Sequence, residues 1–388
     1  MYLALLGGSI VTTFAQEAAP APVKEEEEKP AFTFSGSVDT YFRTSFKHTN
    51  SIYGGYAPST SFADLKGFSL GMVNLVATYS GEKVGFTGDV VFGPRGKAAV
   101  FGTATGQAIV NQAFVFYKFN DHITFNMGQF NTFLGYEVIS PAVNFHYSTS
   151  YMFSWGPFNH TGARLDFAFG EGMVAKLAVM NPTDIVEFNP VSTYTLGAQI
   201  GKTSEAGGVW LNFLYGDQDG KIKQDGTDPF GTGNAYDNAS AGTLFQADLT
   251  LGYNLGDKFY LGVNTSYQTT GAGEVINGGI ISDATGDASS FLGFAVYPKL
   301  TLSDNFALGL RGEYFSVKNG HLTNVIGLNT KGDGNVMEFT LSGNYKAGGL
   351  TFIPEFRIDK TSELSFQDKD GKNKDLMPSL TLAAVYKF

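Results

Sequence analysis

Cysteine is absent from the 388 residues. That excludes a disulfide scaffold, a cysteine-ligated metal and a cysteine-anchored lipid, and it fits an exported chain. Tryptophan is scarce, at two residues, so the aromatic character rests on 35 Phe and 19 Tyr. Basic residues are outnumbered, 26 Lys and Arg against 36 Asp and Glu, for a net charge of −10. That argues against nucleic acid as a partner. No long uncharged apolar run follows the extreme N-terminus, which excludes a helical membrane protein. Amphipathic helical periodicity of useful length is missing too.

What is present begins with Met1 to Ala15, an apolar core ending in Thr13-Phe14-Ala15. It reads as a signal peptide with a small-residue cleavage site. It lacks the opening Lys or Arg, so a start upstream of Met1 is expected. Residues 16–31 are rich in Ala, Pro and Glu, with four glutamates at Glu25 to Glu28. Such a segment cannot bury a core and reads as a disordered acidic linker. Residues 32–388 form the third unit, and there the pattern changes.

In FTFSGSVDTYFR, Phe32, Phe34, Gly36, Val38, Thr40 and Phe42 share one face, and Asp39, Tyr41 and Arg43 share the other. Period-2 alternation of this kind is a strand with one apolar and one polar face. It recurs to the end of the chain. Phe245, Ala247, Leu249 and Leu251 oppose Gln246, Asp248 and Thr250. Leu308 and Leu310 oppose Arg311 and Glu313, Phe352 and Phe356 oppose Glu355 and Arg357, and Leu380 to Phe388 closes the sequence. Short turns such as SGEKV and LSDNF join some pairs, and long polar inserts such as Asn319 to Gly334 separate others. Short turns on one side and long loops on the other describe an outer-membrane barrel.

A soluble β-sandwich also alternates. Two features decide against it. Many strands end in aromatics, as at Phe32, Tyr79, Phe259, Tyr314 and Phe352, and a barrel needs such girdles at both membrane interfaces. The final strand ends in Tyr386-Lys387-Phe388, the form of an assembly signal read by the outer-membrane assembly machinery. The reading is all-β: a closed antiparallel transmembrane β-barrel of roughly 16 strands, with short periplasmic turns and long extracellular loops.

The opening strand SGSVDTYF and the block MGQFNTFLGYEVISPAVNFHYSTSYMFSWGPFNHTGARLDF resemble the OmpL-like β-barrel porin family. The positions that carry the resemblance include Asp39, Gly128, Gln129, Phe130, Gly135, Glu137, Asn144, Gly162 and Arg164. The resemblance implies an outer-membrane channel, with no agreed substrate and no assigned catalytic residues. Gln129 stands where the family pattern has a basic residue, so selectivity is not carried over.

Other motifs carry less. Gly67-Phe68-Ser69-Leu70-Gly71 matches G-x-S-x-G, but a strand follows it where a nucleophile elbow needs a helix. Asp217 to Gly220 and Asp368 to Gly371 look like pieces of calcium loops, yet an EF-hand register puts Tyr215 or Phe366 at the first ligand position. They read as acidic extracellular turns, with weak cation binding left open. The five histidines include no metal spacing.

Between two alternating strands, Gly128 to Phe169 holds a long aromatic stretch with Pro141 and Pro157. Loops of that length are functional or disordered, and the aromatics argue against disorder. The loop 132–159 within it is expected to fold inward and narrow the channel, with Glu137 as its one acid. The alternative is a cap over the barrel, with Arg164 in a structural ion pair. The residues expected to line the pore or its constriction are Asp39, Arg43, Gln129, Glu137, His160, Arg164, Asp166, Asp248, Arg311, Glu313, Glu355 and Arg357. The expected function is an outer-membrane porin for passive diffusion of small hydrophilic solutes or ions. No catalytic set, metal or cofactor is expected. The partners are outer-membrane lipid, the assembly machinery during biogenesis and small polar solutes, with a homo-oligomer left open. A structural or interaction subunit is the alternative, and a substrate-specific channel with loop-bound cations stands behind it.

Overall fold

Strand β1 (Ala31–Ser45) shows how the sequence builds the sheet. Ser37, Asp39, Tyr41, Arg43 and Ser45 are buried, while Phe32, Phe34 and Val38 are exposed. An apolar face left outside is stable only against lipid, and a polar face turned in needs partners inside. Later strands keep the apolar outer face, and some also turn apolar residues inward, as at Phe291 and Ala295.

The computed structural model describes residues 31–388 except 56, 101–108, 190, 192, 219–242, 273–274, 277–279, 282–287 and 323–324. The expected signal peptide and linker, and part of the Asp217 turn, lie outside the described residues. After β1 come β2 (Gly67–Ser80), β3 (Val84–Phe92), β4 (Val110–Asn120), β5 (Ile123–Asn131) and β6 (Asn159–Ala168). Next are β7 (Met173–Met180), β8 (Thr195–Ser204), β9 (Gly207–Gly216), β10 (Leu244–Asn254) and β11 (Phe259–Thr270). The last are β12 (Ser289–Ser303), β13 (Phe306–Lys318), β14 (Gly334–Ala347), β15 (Leu350–Thr361) and β16 (Leu376–Lys387). Each pairs with its sequence neighbours, and β1 pairs with β16, so the sixteen strands close a barrel. The closing pair is antiparallel, from Ser37 opposite Lys387 to Ser45 opposite Ser379.

The turns alternate in length. Residues 81–83, 121–122, 205–206, 304–305 and 348–349 turn tightly at the end that also holds both termini of the barrel. The opposite end carries the long loops. Aromatics cluster outside near both ends: Phe46, Phe68, Phe92, Tyr215 and Tyr267 at the long-loop end, and Phe32, Phe119, Phe169, Phe259, Tyr345 and Phe352 at the other. These are the two interface girdles of a membrane barrel. The chance G-x-S-x-G match falls inside β2, where Phe68 and Leu70 face outward.

The inside is not an empty tube. In the long-loop half, Phe291, Phe315 and Val317 of the wall pack with Tyr151, Met152, Leu322 and Ile326 from loops. A second cluster joins Phe62, Met72, Val91, Ile139 and Phe158, beside the short helix α1 (Gly93–Ala99).

Candidate channel constriction

The loop 132–158, between β5 and β6, turns into the barrel. Its neck is closed by Thr132 N–H donating to the Phe158 carbonyl at 2.9 Å. Asp184, from the loop after β7, accepts from the Phe158 and Asn159 amides at 2.8 and 2.9 Å. Burial pushes the Asp184 carboxyl up to about 7. Inside the loop, α2 (Tyr151–Ser154) is capped by Ser150, whose Oγ accepts from Phe153 N–H at 3.0 Å. The Glu313 carboxylate accepts from the Tyr151 and Met152 amides at 2.8 and 2.7 Å. An anion there suits the positive end of the helix dipole.

The barrel wall grips the rest of the loop by its backbone. Glu355 accepts from the Tyr147 and Ser148 amides at 2.9 and 3.2 Å. Arg357 donates to the Thr149 carbonyl at 2.7 Å and forks onto Asp359. Arg311 donates to Glu137 and to the Ser148 carbonyl, both at 2.7 Å, and to Glu338 at 2.9 Å. Farther along the same wall, three strands from Arg311, Asp248 on β10 accepts from Gly135 N–H at 3.0 Å. Asp39 on β1 accepts from the Tyr147 hydroxyl at 2.5 Å and from Met72 N–H. A buried charge needs partners, and a loop buried in a barrel needs its amides satisfied. Each requirement meets the other.

The structure thus turns Asp39, Arg43, His160, Arg164, Asp166, Asp248, Arg311, Glu313, Glu355 and Arg357 inward, with Glu137 on the loop between them. Most hold the loop rather than stand free in the lumen. Arg43 is buried, with Nη2 3.7 Å from the Met377 sulfur. His160 meets Thr132 Oγ1 at 3.0 Å and lies against the Phe130 and Phe133 rings. Arg164 forks onto Asp166 at 2.8 and 2.9 Å, with Lys176 at 3.6 Å and the Phe130 ring 4.6 Å away. Gln129 corrects the expectation. It shares the outward face of β5 with Met127, which is 58% exposed, and its side chain donates to the Val110 and Asn111 carbonyls. Phe130 takes the inward place because Phe133 and His160 make an apolar pocket for it.

His146, within the loop, and His160, just after it on β6, find different partners. His146 Nδ1 meets Ser342 Oγ at 2.8 Å, and burial, with Arg311 nearby, pulls its imidazole down to about 3. Among the described residues, no group of three His, Asp or Glu is arranged to hold a metal. The Asp368 turn satisfies its own carboxylate with the Asp370 and Lys372 amides.

Sequence reasoning missed Glu338, Asp359 and Arg95. The first two lie on the same polar parity as Arg311 and Arg357, so the signal was there. Arg95 lies in α1, outside any alternation. It donates to the Ile139 and Tyr147 carbonyls at 2.9 and 3.2 Å and stacks over Phe62 at 4.2 Å.

Two chambers flank the loop segment 138–143. One, of about 370 Å³, is lined by Asn74, Asp89, Gln112, Arg164 and Lys176. The other, of about 590 Å³, is lined by Tyr136, His146, Lys299, Asn344 and Lys346. Lys387, at the short-turn end, borders both.

The family described as "Putative beta-barrel porin-2, OmpL-like" matches residues 31–388. The chain belongs to that family. This porin is therefore a protein of the Gram-negative outer membrane, with its long loops outside and its short turns in the periplasm. The outer membrane channel DcaP of Acinetobacter baumannii is 14% identical, with a TM-score of 0.59 over 94% of this chain and 99% of that one. An anion-selective porin from Comamonas acidovorans is 10% identical, with a TM-score of 0.57 over 93% and 100%. A trimer form of OmpT, an outer membrane protein of Vibrio cholerae, is 13% identical, with a TM-score of 0.54 over 93% and 100%. At these identities the likeness is one of fold. The comparison with curated proteins finds no match.

Proposed function

We propose that this porin passes small hydrophilic solutes or ions by passive diffusion, and that loop 132–158 sets the aperture. The observation that carries the reading is the loop's span from its root at β5 and β6 to the opposite wall, where it is anchored from Asp248 on β10 through Arg311, Glu313 and Glu355 to Asp39 on β1. A loop held so firmly narrows the pore without blocking it at random, and the charges beside it order water and sort ions. Arg164 lines one chamber and Lys299 the other. Selectivity then rests on the inward charged residues, with no chemical step. Planar-bilayer recordings of the purified protein test this. Stable ohmic steps are expected, and silence over many reconstitutions would sink it. Arg164→Ala should change ion selectivity. Unaltered conductance and selectivity would remove Arg164 from the pore lining.

A second reading, a barrel that serves as a docking subunit, draws on one observation. Phe291, Phe315, Leu322 and Ile326 form a buried apolar cluster inside the long-loop half of the barrel. A stoichiometric companion recovered from membranes in mild detergent would favour it. Self-association belongs to the porin reading, and light scattering in detergent measures it. Recognition of Tyr386 and Phe388 by the assembly machinery is part of the same proposal.

A further inference from the structure

The larger chamber concentrates cations in a chain whose net charge is −10. Lys299 on β12, Lys346 on β14 and Lys387 on β16 all take the inward register near the periplasmic rim and line it. Two carboxylates line the same space, Glu137 and Asp304. Glu137 already receives Arg311 at 2.7 Å and the Ser150 amide at 2.8 Å. That leaves three ammonium groups facing Asp304. His146, held well below its usual range, adds no charge at neutral pH.

The walls between the lysines are aromatic. Lys299 Nζ lies 4.6 Å from the Tyr260 ring centre and 6.0 Å from that of Phe145. Tyr136 stacks on Tyr297 with centroids 4.1 Å apart. An ammonium resting on a ring is only weakly compensated, so it can turn to an incoming anion at small cost. Cations set in low-dielectric walls focus the field and raise the local concentration of anions. Tyr136, Phe145 and Phe306 line the chamber and are only partly buried, so they supply contact for an apolar body.

We infer that this periplasmic chamber is a binding subsite for small organic carboxylates with an aromatic body, and that it makes the porin prefer anions. The inference deepens the porin reading and rests on it. The test is a planar-bilayer recording in a KCl gradient, with benzoate or acetate added on the short-turn side. Wild-type channels should favour chloride over potassium, and benzoate should reduce the chloride current more strongly than acetate. The variant K299Q/K346Q/K387Q should lose roughly threefold or more of the chloride preference and most of the benzoate block. K369Q/K372Q, in an exposed outer loop, should keep both. If the triple variant fails to fold, K346Q alone should show a smaller shift of the same sign. Silent wild-type channels would sink the porin reading itself. Conducting channels that favour potassium, or a lysine variant with unchanged selectivity, would overturn the subsite and leave the porin standing. Equal block by acetate and benzoate would overturn the aromatic specificity.

Discussion

Arg311 carries the interior more than any other side chain. It is fully buried between Glu137 and Glu338, and its guanidinium also holds the Ser148 carbonyl and Thr340. Removing one partner of such a cluster leaves uncompensated buried charge, at about 3–5 kcal/mol. Arg311→Ala should lower the heat-modification temperature of the folded band on gels and make channel openings noisier. Arg311→Lys restores charge without the planar fork and should recover only part of the stability. Asp184 tests a different balance. Its folded carboxyl titrates near 7 against an ordinary 3.8, so the folded state binds a proton that the unfolded state has released. Stability from this group therefore falls as pH rises from about 4 to about 7, by up to a few kcal/mol, and levels off above. Wild-type protein should melt lower at mildly alkaline than at mildly acidic pH. Asp184→Asn, permanently neutral, should flatten that difference, and an unchanged slope would show that other groups set it. Single residues were legible where parity decides them, as for Arg311 and Glu355. The expectation at Gln129 rests on the family resemblance and not on alternation: counting in twos from the buried Asn126 puts Phe130 inward and Gln129 outward, as observed.

Strands and loops differ in how much they disclose. Leu341, on β14 opposite Leu310 and Phe356, alternates with the buried Thr340 and Ser342. Two-residue periodicity alone marks it as lipid-facing. Leu341→Arg should destabilise insertion into vesicles by about 2–4 kcal/mol, as expected near the bilayer midplane. The same change in an exposed turn should cost little. The direction of loop 132–158 was not legible in this way. Its partners lie far along the chain: Gly135 reaches Asp248 across 113 positions, Tyr151 reaches Glu313 across 162, and Tyr147 reaches Glu355 across 208. No local pattern encodes such pairings. An aromatic loop with one acid fits inside or outside equally well until the wall offers Glu313 and Glu355 to its amides. Replacing residues 139–146 with a short Gly-Ser linker should join the two chambers and raise single-channel conductance roughly twofold or more. Unchanged conductance would move the narrowest point to another loop.

For the whole molecule, closure is the step that no part of the chain can take alone. The seam sets Gly36 against Phe388, with each amide donating to the other's carbonyl at 3.1 Å. These residues stand at opposite ends of the barrel sequence, so the last strand must be present before the sheet loses its edges. An open edge in lipid strands a row of amides and carbonyls that nothing else satisfies. Such long-range pairing also makes folding slow. The seam is tight at one point. A Cβ on Gly36 would lie 2.5 Å from the Asn74 carbonyl oxygen and 2.8 Å from the Phe388 ring, whereas a Cβ on Gly88 meets nothing within 4 Å. Both glycines lie on the outward face, so the same substitution at each separates closure from general bulk. Gly88→Val should give a normal folded band that shifts only on heating. Gly36→Val pushes Phe388 off the seam and the β1 backbone off β2, and should leave much of the protein running as unfolded before any heating. If both variants fold equally, the seam tolerates a displaced Phe388 and closure does not depend on the fit of that ring against Gly36.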